Sequence, residues 1–276
     1  MTMESITLGL AAVIVFWLGA CIGSFINVVV YRLPAGLSVI RPRSRCPHCL
    51  HQLGNRENIP VLGWLWLRGR CRYCKSPISI RYPLVEAATG ILFLLVFLTF
   101  DISIQTLGYW TFGSWLLALS LIDLDTMILP NPLTKSGLII GLVFQLFVSF
   151  FSQQHSQVEV IHQLMFGVVG AVLGIWLFDA INIIGSIIVG QPAMGGGDAK
   201  LAAMMGAWLG WKYLLLAGFL ACALGAFVGG GAIALKLLNR RQPMPFGPFL
   251  ALGAIITVFA GEPILSAYLR FMFPTP

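Results

Sequence analysis

Two groups of residues in this chain have the types and the spacing to do chemistry. The first is a pair of Cys-x-x-Cys knuckles, Cys46 with Cys49 and Cys71 with Cys74, separated by 21 residues. A two-residue gap lets both sulfurs of a knuckle turn toward one ion, and two knuckles close a tetrahedron of thiolates around zinc at about 2.3 Å per bond. Arg45, Arg70, Arg72 and Lys75 flank the knuckles, where positive charge favours the thiolates and offsets the net charge of a four-sulfur zinc centre. The competing arrangement is two disulfides, which a reducing compartment disfavours. His48 and His51 lie in and just beyond the first knuckle, but four sulfurs complete the site without them, so both read as surface residues. Cys21 and Cys222 fall in apolar runs and read as packing residues.

The second group is acidic. Asp123 and Asp125, in "LALSLIDLDTMILPNP", and Asp198, in "MGGGDAKLAAMMGAWLG", lie at the ends of apolar runs. Carboxylates at membrane depth are costly and point to function by default. Two carboxyls held close cannot both ionise, so the pair shares a proton. One member then takes a proton from water while the other gives one to a carbonyl oxygen, which is peptide hydrolysis without a metal. Glycines before Asp198 suit this role, because a backbone without Cβ atoms admits a second helix or an extended substrate. Taken singly, each acid has a plainer reading. Asp198 could cap the helix that follows it, and Asp123 or Asp125 could be a solvated interfacial charge. Asp101, Asp179 and Glu86 also lie near or inside apolar runs, and spacing leaves them open.

The elements that must position these groups are membrane spans. Apolar residues make up 58% of the 276 positions and charged residues 10%, against about 45–50% and about 25% in soluble domains. Runs at 6–30, 84–100, 107–122, 138–151, 164–189, 213–238 and 248–268 approach the roughly 20 residues that cross a bilayer as a helix. A shorter run at 201–211 crosses only by borrowing from its flanks. The expected fold is therefore all-α and polytopic, with about eight transmembrane helices and a small zinc-stapled domain between the first and second. Small residues four apart, such as Gly137/Gly141, Gly170/Gly174, Gly206/Gly210 and Gly225/Gly229, predict close helix packing.

Charge orients these spans. Ten of the seventeen basic residues, from Arg32 to Arg81, lie between the first and second runs, so this loop is expected in the cytosol and the N-terminus outside. The chain then divides into a first span at 1–32, a cytosolic four-cysteine domain at 33–83 and a helical domain at 84–276. Counting onward, "QPAMGGGDAK" and Asp123 share the cytosolic face. Lys236, Arg240 and Arg241 return there if 201–211 crosses, which favours eight spans. The same basic charge draws the loop to anionic lipid, making membrane lipid an expected partner. Nucleic acid is not expected, because "SPISIRYP" after the second knuckle offers no base-reading helix. A lipoprotein-like "LGAC" at 18–21 is discounted, because no basic segment precedes it and the apolar run continues past it.

With both groups assembled, the chain resembles the bacterial type IV prepilin leader peptidases, membrane aspartic proteases and N-methyltransferases that also serve type II secretion pseudopilins. The resemblance runs from about Gly19 to Gly261 and rests on "CIGSFINVVVYRLP", "NIPVLGWLWLRGRCRYCKSPISIRYPLVE", "IDLDTMILPNP", "MGGGDAKL" and "PFGPFLALGA", in that order. It implies Asp198 as the aspartate of a Gly-x-Gly-Asp motif, with Gly195 and Gly197 as the glycines, and Asp123 as its partner, with Asp125 as second choice. The four-cysteine domain matches as well. The interval from Asp123 to Asp198 is long for the family, which extra residues around "FSQQHSQVEV" explain. What the resemblance implies in activity is cleavage of a short basic leader after a Gly, before the apolar helix of a prepilin or pseudopilin, at the bacterial inner membrane. Methylation of the new α-amine follows, with S-adenosylmethionine as donor. The methyl-donor site has no fingerprint in the sequence, and the loop region 33–86 receives that activity by analogy. The rival class is a transporter or channel whose aspartates relay protons or bind a cation.

Overall fold

The computed structural model describes residues 3–150, 157–190, 194–237 and 244–273. Among them are eight helices and no strand: α1 (Met3–Arg32), α2 (Leu62–Trp66), α3 (Arg81–Phe100), α4 (Ile104–Thr126), α5 (Asn131–Phe150), α6 (Gln157–Val189), α7 (Gly196–Ala234) and α8 (Gly247–Met272). All except α2 are long and apolar enough to cross a membrane. Most have little polar sidedness, because in lipid the outer surface must be as apolar as the packed one; α5 differs, turning Thr134, Gly137, Gly141, Gln145 and Ser149 inward. Bulky side chains such as Trp176 and Phe227 accordingly stand outward.

Seven of these helices are thus long enough to span by themselves, and the short run expected at 201–211 lies within α7. Two helical arms of α7 meet at Gly210, which has φ 74° and ψ 171°, a backbone state open to glycine. The chain reverses there. Before the break, Ala202 and Gly206 meet Gly174 and Gly170 of α6, and Gly210 meets Phe166; beyond it, Gly218 is back beside Phe178. The second arm also runs antiparallel to α8, with Tyr213 against Gly261, Ala217 and Ala221 against Gly253, and Phe246 against Gly225. The expected short span is thus the first arm of a helical hairpin. About 14 residues give it a length of roughly 21 Å, short of the roughly 30 Å hydrocarbon layer.

The chain forms two compact units, Met1–Ala118 and Leu119–Pro276. In the first, α1 and α3 pack through small residues: Gly19 lies on Phe93, Gly23 on Glu86 and Thr89, and Gly90 on Phe16. Trp110 stacks on Phe93 at 4.9 Å between ring centroids and donates Nε1–H to its carbonyl at 2.8 Å. The second unit is built on the predicted glycine pairs. Gly141 receives the Trp208 ring, and Trp208 Nε1–H reaches the Gly137 carbonyl at 2.8 Å. Gln145 of α5 donates to the carbonyls of Ala207 and Trp208 at 3.2 and 2.8 Å, satisfying acceptors that the Gly210 reversal takes out of the helical ladder. Gln191, Arg240, Arg241 and most of the inserted "FSQQHSQVEV" stretch lie outside the described residues.

Candidate active site and metal centre

In the second unit, Asp123 occupies the last turn of α4 and is 5% exposed, while Asp198 lies in the first turn of α7 and is 6% exposed. Asp125 is exposed, as helical geometry requires: two residues turn the side chain by about 200°, so only one of the "DLD" pair can face inward. Each buried carboxylate meets a helix N-terminus. Asp123 Oδ2 accepts the Gly247 N–H at 2.9 Å, at an α8 end where Phe246 provides no side-chain cap. A Cβ on residue 247 would stand 2.7 Å from that oxygen. Asp198 reaches back to the backbone N–H of Gly195, the residue that opens α7. This is the third-position half of a capping box, so capping by Asp198 is compatible with its facing Asp123.

The two acids lie within electrostatic reach of each other. What draws them together is the segment after α4. Gly197 carries no Cβ where one would stand 2.9 Å from Leu129 Cβ, and Lys200 Nζ donates to Asn131 Oδ1 at 2.8 Å. Asn182 Oδ1 of α6 accepts the Met194 N–H at 3.0 Å and fixes the entry to the glycine turn. Gly247, Leu129, Asn131 and Asn182 had no assigned role in the sequence reading. The Pro-Phe-Gly-Pro turn hinted at a helix start, but nothing local tied it to Asp123. The remaining acids go elsewhere: Asp101 and Asp179 are exposed, and Glu86 is buried in the first unit.

There, the four cysteines form one cluster, with their sulfurs all within 4.8 Å of one another. Cys46 Sγ lies 3.7 Å from Cys74 Sγ, and Cys49 Sγ lies 3.9 Å from Cys71 Sγ. A tetrahedron with bonds of about 2.3 Å has edges of about 3.8 Å, which those two separations approach, so the cluster is compatible with one metal ion. The two knuckles repeat one another. Cys46 N–H bonds the His51 carbonyl and Cys71 N–H the Ser76 carbonyl; Leu50 and Lys75 take positive φ at matching positions; and a bridge closes each, Arg45 to Gln52 and Arg70 to Pro77.

The backbone N–H of Cys49 holds the Cys46 thiol down to about 6, and the Ser76 hydroxyl lowers Cys74. Cys49 feels the His51 N–H, but burial and the three neighbouring sulfurs outweigh it and push it up to about 11. Four thiolates this close repel one another unless a cation sits among them. His48 and His51 are exposed as expected, and His51 packs on Tyr73 with centroids 3.5 Å apart. Cys21 and Cys222 are exposed on their helices, which corrects the packing role expected for them: each falls on an outward face.

Beyond the knuckles the loop is held by turn hydrogen bonds and a few side-chain contacts. Trp64 donates to the Ile78 carbonyl at 3.0 Å and covers Gly69, and Arg72 pairs with Glu57 at 3.6 Å. Glu86 Oε2 accepts the Val61 N–H at 2.6 Å, and Asn27 Nδ2–H reaches the Tyr82 carbonyl at 3.1 Å. The first of those two bonds ties the loop to α3, and the second joins α1 to α3.

Residues 17–100 match the bacterial peptidase A24 N-terminal domain, and residues 110–230 match the type IV leader peptidase family. A prepilin leader peptidase/N-methyltransferase of Aeromonas hydrophila is 39% identical over 280 residues, covering 93% of each chain. One from Stutzerimonas stutzeri is 37% identical over 92% of each, and one from Burkholderia pseudomallei is 38% identical over 89% of this chain and 84% of its own. No solved structure matches the chain. Near-complete coverage at this identity, with both family models in order along the sequence, shows that the chain belongs to the type IV leader peptidase family.

Proposed function

We propose that this chain cleaves the basic leader from type IV prepilins and type II secretion pseudopilins with Asp123 and Asp198, and then N-methylates the new terminus. The observation that carries the reading is the pair of buried carboxylates at neighbouring helix ends in a member of this family. Hydrolysis needs one ionised and one protonated carboxyl. The ionised one takes a proton from a water as its oxygen attacks the scissile carbonyl, and the protonated one gives its proton to the carbonyl oxygen. On collapse, a proton passes to the leaving amine. The Gly247 and Gly195 amides point at the carboxylates throughout and offset negative charge in an apolar setting.

The chain is a multi-pass protein, and we place it in the bacterial inner membrane with the N-terminus outside and the cysteine loop in the cytosol, because the loop carries the basic excess. There the aspartates face the side on which a leader would be presented. Cys46, Cys49, Cys71 and Cys74 would hold one structural zinc, which would supply the folding energy that a loop of this size lacks. S-adenosylmethionine is the methyl donor that the second activity calls for, in the first unit. The test is incubation of the purified protein with a prepilin and labelled S-adenosylmethionine. Leader release followed by label on the new terminus supports the reading, and intact prepilin, in a preparation that keeps its zinc and its helical content, refutes it.

A further inference from the structure

Glu86 is a buried acid that peptide hydrolysis leaves unused and, unlike the Arg72-paired Glu57, one with no salt bridge among the described residues. It lies in the first turns of α3 at 8% exposure, bonded to the Val61 N–H and within reach of the Ser24 hydroxyl. Among the described residues no Lys or Arg pairs with it. Its Val61 partner sits at the centre of a tight three-residue turn, with φ 59° and ψ −55° and a Leu62 N–H to Pro60 carbonyl bond of 2.5 Å. That conformation is rare for a β-branched residue. A hook on Val61 alone does not call for an acid, since a neutral amide oxygen would accept the same N–H without a buried charge. Strained backbone and an uncompensated buried charge at one point are marks of a working site. The neighbouring surface is polar, with Ser24, Asn27 and the Tyr82 carbonyl.

We propose that Glu86 is the catalytic base of methyl transfer, a role that rests on the methyltransferase reading above. In water an α-amine is mostly protonated at neutral pH, with a pKa of about 7.7–8.0, and only the neutral form has a lone pair to donate. The Glu86 carboxylate takes one proton from the α-ammonium of the processed subunit. The amine nitrogen then attacks the methyl carbon of the sulfonium donor, a C–N bond forms, and the C–S bond breaks with its electron pair left on sulfur. Positive charge passes from sulfur to nitrogen, and Glu86 later returns its proton to water. A carboxylate without a cation of its own is matched to a reaction whose positive charge never leaves the site.

The test uses the full-length, zinc-retaining protein in detergent, a peptide of mature subunit length and labelled S-adenosylmethionine, between pH 6.5 and 9. Glu86→Gln keeps an acceptor for Val61 and loses the base. Its methyl transfer at pH 7 should fall by about tenfold, because only about a tenth of the amine is neutral there unaided, with leader cleavage within about twofold of wild type. The deficit should shrink as pH rises and the amine sheds its proton unaided. The groups around Glu86 are Ser24 and Asn27 from α1, the Val61 backbone from the loop, and Tyr82 and Thr89 on α3; of these only Tyr82 can ionise. Glu86→Asp, which keeps a base, should rank between wild type and Gln. Wild-type transfer by the Gln variant, a deficit that does not change with pH, or a Gln variant as active as Asp would each overturn the role. Absence of transfer in wild type itself would instead remove the methyltransferase reading, and this role with it.

Discussion

Replacement of Gly247 by Ala changes a residue that sequence patterns leave silent. The new Cβ would stand 2.7 Å from Asp123 Oδ2, 3.2 Å from its Cγ and 3.3 Å from its Cβ. Ordinary contact begins near 3.4 Å, so the carboxylate or the α8 terminus must move by several tenths of an ångström. The 2.9 Å bond from the Gly247 amide is then stretched or lost. A hydrogen bond to a charged group contributes about 1.5–3 kcal/mol, and each 1.4 kcal/mol is a factor of about ten, so leader cleavage should slow by roughly 10- to 100-fold. On the proposed role of Asp123 the loss belongs in kcat, because the amide touches that carboxylate and not the leader. Single-turnover cleavage of a purified prepilin at saturating and limiting enzyme separates the two terms. Gly230→Ala, whose Cβ meets nothing within 4 Å, controls for glycine replacement. Methyl transfer to a pre-cleaved subunit controls for folding. Cleavage by Gly247→Ala as fast as by Gly230→Ala would refute the link between α8 and Asp123.

Asp123→Asn and Asp198→Asn should each abolish cleavage while the protein accumulates in the membrane, and Asp125→Asn should leave it near wild type, as read by the size of the prepilin product. Metal analysis should find about one zinc per chain, and Cys46→Ser or Cys71→Ser should lose it and open the loop to proteolysis. Zinc should also leave on acidification. Binding needs thiolates, Cys46 ionises near 6 and Cys49 near 11 without metal, and falling pH adds protons that compete, so loss of zinc should deepen progressively below about pH 6. Gln145→Leu should lower thermal stability in detergent by about 1–3 kcal/mol, because the Ala207 and Trp208 carbonyls lose their donor in a dry interior.

The sequence by itself determined what local rules control. Composition and run length place the chain in a membrane as helices, because no other element satisfies its own amides there. Cys-x-x-Cys spacing already determines how each knuckle turns its sulfurs inward, and the structure repeats that geometry twice. The acids were legible as candidates for the same reason: a carboxylate beside an apolar run is conspicuous.

Which candidates are buried together was not legible. Asp123 and Asp125 differ only in the helical face they occupy, and that face has meaning only once α7 and α8 are packed against α4. The Gly247 amide lies 124 positions from Asp123, and no spacing rule spans that distance. The short run at 201–211 looked like a weak span, whereas the positive φ of Gly210 makes it one arm of a hairpin. Glycine allows that turn without requiring it. The choice was made by the close backbone contacts of Gly170 and Gly174 with Gly206 and Ala202. In an apolar chain every helix surface is equally content with lipid, so which faces meet is decided by shape and by the few polar groups that must find partners, and both exist only in three dimensions.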